Sequence, residues 1–316
     1  MLSAKKCFKT SIGGQALIEG VMMRGPEKIA MAVRLPDGGI DVETEALDAK
    51  AVKKWYKKVP LIRGVFNMVD NLKVGYRYLM KSAEKAGLEE EEEEPSGFEK
   101  WLTDKFGDKL MKGVMVAASV VSVAVALLLF AAVPTFITKW IGSFADLGGW
   151  RNVLEGVIKI GIFVAYLAAI SGMKDIKRLF QYHGGEHKTI FCYEAGLELT
   201  VENVRRQPRF HPRCGTSFIL IVLVIGILVF SLPFVPWDNG FLRVGIKLLL
   251  LPVIAGIAYE IIKLAGRYDN PATRIISAPG LWMQRLTTRE PDDGEIEVAI
   301  ASFKAVMPDN KEDAKW

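Results

Sequence analysis

The sequence predicts a mainly α polytopic membrane protein: four transmembrane helices, a cytoplasmic N-terminal α+β region and a C-terminal helical tail. Three observations predict it. Four apolar runs approach the ~20 residues that a helix needs to cross the hydrocarbon layer. Basic residues collect in the connections on one side of those runs. The chain's three histidines all fall within one of these basic connections.

The runs are Gly113 to Thr138, Val153 to Gly172, Thr216 to Val235 and Val244 to Ala265. The first and third carry no charge; the second has Glu155 and Lys159 near its start, and the fourth has Lys247, Glu260 and Lys263 near its ends. Lipid cannot satisfy backbone polar groups, so each must be helical. The segment from Lys174 to Gly215 holds eight Lys or Arg, whereas the connections 139–152 and 236–243 hold three between them. Those two short connections also carry Trp140, Trp150 and Trp237, residues that favour the bilayer interface. The positive-inside rule then places both termini and residues 174–215 in the cytoplasm, in a multi-pass protein of the cytoplasmic membrane. Met1 to Thr10 has lysines without an apolar run behind them, so insertion is expected to use the internal spans rather than a cleaved signal. Three cysteines, Cys7, Cys192 and Cys214, form no disulfide framework and fit thiols or metal ligands in a reducing compartment.

The chain therefore divides into residues 1–88, an N-terminal α+β region; 89–112, an acidic linker and pre-membrane helix; 113–265, the four-helix domain with a motif loop at 174–215; and 266–316, the tail. In the first region, Ile29 to Leu35, Pro-Asp-Gly-Gly and Ile40 to Glu45 read as a β-hairpin, although the alternation is imperfect. Ala16 to Met23 is a candidate neighbouring strand. A helix follows from about Leu61 to Ala86, with Ile62, Phe66, Val69, Leu72, Tyr76 and Met80 among its apolar face and Arg63, Lys73, Arg77 and Lys81 flanking it. That face fits either an anionic membrane surface or packing against the hairpin or the spanning helices. The six carboxylates Glu89 to Glu94 repel one another and read as solvated linker rather than as a calcium loop. In the tail, Asp292 and Asp293 suit the start of a helix from about Gly294 to Met307. There is no phosphate-binding P-loop, dinucleotide fingerprint or internal repeat, and no nucleic-acid partner is expected.

The chemistry concentrates in His183-Gly184-Gly185-Glu186-His187, the H-x-x-E-H spacing of inverted zinc hydrolases. On a helix, His183 and His187 lie one turn apart and can grip one divalent metal, zinc above all. Glu186 points to nearly the same side and suits a general base for a water that zinc acidifies to a pKa of about 7. The third ligand is drawn from His211, Cys214 and Glu260; Glu194 suits a supporting place. Gly184 and Gly185 are poor helix formers, which places His183 near a helix cap. A second reading uses the backbone N–H groups of Gly184 and Gly185 at a helix start, with Lys188 and the arginines 205, 206, 209 and 213, to hold an anionic headgroup. A third has these polar groups tie helix ends together.

Four stretches are Gly13-Gly-Gln-Ala-Leu-Ile-Glu-Gly-Val-Met-Met-Arg-Gly-Pro26, Tyr182-His-Gly-Gly-Glu-His-Lys-Thr189, His211-Pro-Arg-Cys-Gly-Thr-Ser217 and Pro279-Gly-Leu-Trp-Met-Gln-Arg-Leu-Thr-Thr-Arg-Glu-Pro291. Together they resemble the YqhQ-like family of bacterial membrane proteins of unknown function, over nearly the whole chain. The resemblance implies a metal-dependent membrane enzyme, with His183, Glu186, His187, His211 and Cys214 as first-rank site residues. It puts Gln15, Glu19 and Arg24 in a second rank. It supplies no substrate.

The leading expectation is a hydrolase-like enzyme at the cytoplasmic interface that acts on a peptide or a lipid-linked group. Its rivals are a membrane scaffold or regulator, whose basic loop and N-terminal region bind a partner protein or anionic lipid, and a transporter component.

Overall fold

The computed structural model describes residues 8–47, 59–87, 128–232, 240–268 and 270–315, with scattered positions from 113 to 126. Cys7, the acidic run Glu89 to Glu94 and the pre-membrane helix expected up to 112 lie outside the described residues. The strands are β1 (Gly13–Leu17), β2 (Gly20–Arg24), β3 (Lys28–Arg34) and β4 (Ile40–Ala46). The helices, in chain order, are α1 (Ile62–Lys85), α2 (Val133–Ile141), α3 (Arg151–Ile170), α4 (Lys174–Glu194), α5 (Val201–Arg205), α6 (Gly215–Phe230), α7 (Gly240–Arg267), α8 (Pro271–Thr287) and α9 (Asp293–Val306). The chain is mainly helical and forms two compact units. The first holds Met1–Leu88, Leu167–Val222 and Pro252–Trp316; the second holds Glu89–Tyr166 and Leu223–Leu251.

In the first unit the strands form an antiparallel meander in the order β1-β2-β3-β4. The Pro-Asp-Gly-Gly segment turns β3 into β4 as its sequence predicts, with Gly38 at φ 87. The expected single strand from Ala16 to Met23 is instead broken into β1 and β2. Its turn was hidden because the residue that takes the left-handed conformation is Glu19, at φ 49, where Gly or Asn is usual. The imperfect alternation of β3 also has a cause. Ala30 and Ala32 face one core with Val21 and Met23 of β2. Ile29, Met31 and Val33 face another with Leu17, Met22 and Tyr78. A strand buried on both faces has no polar phase to display.

Helix α1 covers the second of these faces. Its basic residues meet the acids of β4 in an antiparallel ladder: Arg77 with Glu45 at 2.7 Å, Lys81 with Glu43 at 2.5 Å, and Lys85 with Asp41. The match follows from rise. Two strand residues advance about 6.7 Å and four helical residues about 6 Å, so one helix turn keeps step with one strand repeat. Packing against the sheet, one of the two expectations for this helix, is therefore realised.

The other face is covered by α4 and α9, with α5 beside them. Residues 174–215, expected as a loop, begin with the 21-residue helix α4. It ends where Gly196 takes φ 69 and donates its N–H to the Tyr193 carbonyl at 2.9 Å. Helix α9 starts as expected, on a capping box in which Asp292 accepts from the Glu295 N–H and Glu295 accepts from the Asp292 N–H. Ile296, Ala299, Ile300 and Phe303 fill the core beneath it. The C-terminal residues are thus part of the first unit's core.

Among the described residues, three helical segments are long and apolar enough to cross a membrane: Val120–Ile141, Gly148–Ile170 and Gly245–Ala265. They answer to the first, second and fourth expected spans. The third, Thr216 to Val235, forms α6, which ends at Phe230, and its apolar helix Phe218–Phe230 is shorter. Pro233 and Pro236 stand just beyond, and the residue before a proline disfavours helix. Within the second unit Glu155 gathers the charges of two of these segments. Arg243 donates to Glu155 at 2.7 Å, Lys247 pairs with the same carboxylate, and Thr135 donates to it at 2.8 Å. An ion buried among apolar helices requires such partners.

A candidate metal centre

Helix α4 carries His183 and His187 one turn apart, with ring centroids 4.4 Å from each other. Opposite them stands Cys214, the residue that precedes α6. The Nε2 of His183 lies 3.2 Å from Cys214 Sγ. One ligand atom each from His183, His187 and Cys214 falls within 4.8 Å of the other two. His187 and Cys214 are buried, whereas His183 is half-buried and leaves one side of the group accessible. Cys192 and Cys214 are both reduced.

Both imidazoles are oriented by backbone carbonyls. His183 Nδ1 sits 2.8 Å from the Thr287 carbonyl oxygen, and His187 Nδ1 sits 2.6 Å from that of Arg209. A carbonyl oxygen only accepts, so each Nδ1 must carry the hydrogen and donate it. Each Nε2 of a neutral ring then presents its lone pair. This is the orienting contact usual for metal-bound imidazole. The peptide that leads to Cys214 is fixed in turn by Gln284 of α8. Its Oε1 accepts from the His211 N–H at 2.7 Å, and its Nε2 donates to the His211 carbonyl at 2.7 Å. Thr287 and Gln284 were missed as supports of the site. Their one sequence signal was their place in the Pro279 to Pro291 stretch.

The other expected site residues have different surroundings. His211 lies near, with its ring centroid 5.4 Å from that of His187, but outside the trio. Its Nδ1 lies 3.3 Å from the Arg213 N–H and its Nε2 3.2 Å from the Arg213 guanidinium. Burial, then His187 and Arg213, hold its pKa well below the ordinary 6.5, so the ring is neutral. Glu260 is not with the trio. It is clamped by Arg63 through two contacts and accepts from the Leu61 N–H, a tertiary pairing that no local pattern reveals.

Glu186 is rotated on α4 toward β1, where its Oε1 accepts from the Gly14 N–H at 3.0 Å. Its Oε2 is buried without a hydrogen-bond partner. Burial raises its pKa, against the lowering effect of His183 and of the Gly14 N–H.

Gly184 and Gly185 stand inside α4, not at its start, so the backbone nest expected of them is not formed. Lys188 is buried, donates to the Arg205 carbonyl at 3.0 Å and pairs with Glu290 at 2.8 Å. Glu194 accepts from the Thr10 N–H at 2.7 Å and pairs with Arg213. Gln15 and Arg24 tie the sheet to α1: the Gln15 amide fills the space that Gly75 leaves, and Arg24 donates to Asn71 at 3.1 Å.

A model of the family described as "Protein of unknown function (DUF1385)" matches residues 59–309. The chain belongs to this family. It is also 36% identical over 304 residues to a protein of Bacillus subtilis (strain 168) named "Uncharacterized protein YqhQ", covering 93% of this chain and 92% of that one. No solved structure gives a significant match.

The N-terminal signature of this DUF1385 chain also enters a second polar group. Glu19 is clamped by Arg178 of α4 and accepts from the Tyr182 hydroxyl at 3.1 Å. Beneath them Glu295 is 1% exposed, and its Oε1 has no hydrogen-bond partner. Burial above all, with Asp292 and Glu19 beside it, pushes its pKa from 4.5 up to about 7, against Arg178 and the Asp292 N–H. A carboxyl raised on folding binds its proton more tightly in the native state. Its protonation therefore favours the fold below about pH 7, and that contribution shrinks as pH rises from about 4.5 to about 7. A Glu295→Gln variant keeps the acceptor of the capping box and removes the titration. Its thermal midpoint in detergent should exceed that of the parent at pH 8, with the gap closing toward pH 5. A gap unchanged across that range would show that Glu295 does not titrate in it.

Proposed function

We propose that this chain is a four-span protein of the cytoplasmic membrane that holds one transition-metal ion, zinc, between His183, His187 and Cys214 and works as a hydrolase at the cytoplasmic interface. The observation that carries the reading is the convergence of the trio: His183 Nε2 faces the Cys214 thiol, His187 brings a ring nitrogen within 4.8 Å of both, and the Nδ1 of each imidazole meets a backbone carbonyl. Three protein donors and a half-open side fit a catalytic site better than a closed structural one. The ion would supply Lewis acidity there. Glu186, with a buried, unpartnered Oε2 and a raised pKa, suits the transfer of a proton at that oxygen. The substrate class is a peptide or a lipid-linked group that reaches the half-exposed His183 side.

The span count is supported by parity. The sheet, α4 and α9 pack directly on one another around one core, which supports a place for all three on one side of a bilayer. Val120–Ile141 and Gly148–Ile170 make an even pair between α1 and α4. Between α4 and α9, Gly245–Ala265 requires a second crossing. Helix α6, with its apolar stretch Phe218–Phe230, is the segment available. The eight Lys or Arg of residues 174–215 then favour the cytoplasmic side.

Elemental analysis of detergent-purified protein should find close to one zinc per chain. His187→Ala should lose it, and Glu186→Gln should keep it. Protein that neither contains metal nor takes up zinc on reconstitution would remove the basis of this reading.

A further inference from the structure

The two faces of α1 have different partners. One face is covered by the sheet. Along the other, Phe66, Val69, Leu72, Tyr76 and Met80 are exposed, Leu72 by 65% and Tyr76 by 66%. Scattered exposed apolar residues need no explanation, but a stripe down one face of a 24-residue helix does.

The level of this stripe is set by α7. The two helix backbones cross in close contact: a Cβ on Gly64 would lie 2.7 Å from Tyr259 Cβ and 3.1 Å from Gly256 Cα. A Cβ on Gly256 would lie 2.7 Å from the Leu61 carbonyl oxygen. Small residues are what such crossings of membrane helices require. Asn67 donates to the Tyr259 hydroxyl at 2.9 Å, and Arg63 clamps Glu260. Gly256, Tyr259 and Glu260 all belong to the segment Gly245–Ala265, which is long and apolar enough to span. Tyr259 and the Arg63–Glu260 pair mark the polar boundary on that helix, and Gly256 lies one turn deeper. The start of α1 is thereby fixed at bilayer depth.

From this we infer that α1 is an interfacial helix whose Phe66–Leu72–Tyr76–Met80 face lies in the headgroup and acyl boundary of the bilayer, with the sheet carried on its opposite side. The inference rests on the membrane reading above. The occupant is lipid because the stripe begins with Ile62 and Phe66, on the same turns of α1 whose opposite side, at Gly64 and Asn67, packs on a spanning helix. Lys73, exposed beside the stripe, suits an anionic headgroup. The helix thereby holds the sheet, and with it the N–H of Gly14 against Glu186, at a set height over the membrane.

The test is spin-label accessibility in the full chain, reconstituted in vesicles of neutral and anionic phospholipid. Labels go singly at Phe66→Cys, Leu72→Cys, Tyr76→Cys and Met80→Cys in a Cys7→Ser background, since Cys192 and Cys214 are buried. Glu84→Cys serves as the aqueous reference and Leu249→Cys, 77% exposed on α7, as the lipid reference. The stripe labels should relax several-fold faster with oxygen, relative to a water-soluble nickel complex, than the Glu84 label does. If they match Glu84 while Leu249 reads as lipid, the inference fails and the membrane reading stands. If Leu249 also reads as aqueous, both fail. Spin–spin broadening that disappears on dilution with unlabelled protein would assign the face to a second copy and overturn the inference.

Discussion

Gly184→Ala is expected to be far more damaging than Gly185→Ala, although the residues are neighbours in one helix. Both changes improve helix propensity by about 1 kcal/mol. A Cβ at position 185 would meet nothing nearer than the Glu295 carbonyl oxygen at 3.5 Å, an ordinary contact. At position 184 it would fall inside the van der Waals envelope of the Arg289 carbonyl oxygen and 3.2 Å from the Arg289 carbonyl carbon. That peptide has little freedom to retreat, because the Arg289 N–H donates to the Phe180 carbonyl at 2.8 Å, one turn earlier on α4. Overpacking against fixed backbone costs about 3 kcal/mol. Gly184→Ala should therefore lower the unfolding midpoint by many degrees or prevent folding, while Gly185→Ala should be neutral or stabilising by up to about 1 kcal/mol. Thermal unfolding of the two variants side by side decides it. Equal midpoints would mean that α4 does not press on Arg289.

The same pair of glycines shows how far the sequence was legible. Glycine in a helix reads as a break, so Gly184-Gly185 argued for a cap or a nest and concealed the half of α4 that precedes His183. Their cause is an approach between α4 and a segment more than 100 residues later, and no local pattern carries that. Elements whose cause is local were readable. The Pro-Asp-Gly-Gly turn, the apolar periodicity of α1 and the aspartates at the head of α9 each specify their element within a few residues. The β1–β2 turn was not readable because Glu19 adopts a backbone conformation its residue type disfavours. Clamping by Arg178 and the Tyr182 hydroxyl holds it there.

The candidate site divides in the same way. The spacing of His183 and His187 is a helix period and needs no fold to be seen. The choice among His211, Cys214 and Glu260 depends chiefly on tertiary partners: Gln284, which holds the peptide at His211, and Arg63, which takes Glu260; the neighbouring Arg213 takes the His211 ring. Each selector lies outside α4. The two readings of α1 were both open because an amphipathic helix has one apolar sector in sequence. The sector turned out wide enough to serve a protein face and an exposed face at once.

Cobalt(II) in place of zinc should report the ligand set directly. With Cys214 as a ligand, the loaded protein should show a thiolate-to-cobalt charge-transfer band in the near ultraviolet and the strong visible bands of a four-coordinate ion. Cys214→Ser should lose the charge-transfer band. His187→Ala should reduce affinity by orders of magnitude, since it removes one of three donors whose atoms converge within 4.8 Å. His211→Ala and Glu260→Gln should leave the spectrum in place, because neither group is aimed at the trio. Gln284→Ala is the sharper case. It touches no donor atom, but it frees the His211 peptide that positions Cys214. Loss of such an orienting contact costs about 10–100-fold in metal affinity, with the charge-transfer band retained at saturation. A spectrum without thiolate character in the parent protein would exclude Cys214. A Gln284→Ala affinity equal to the parent's would show that the trio is held without α8.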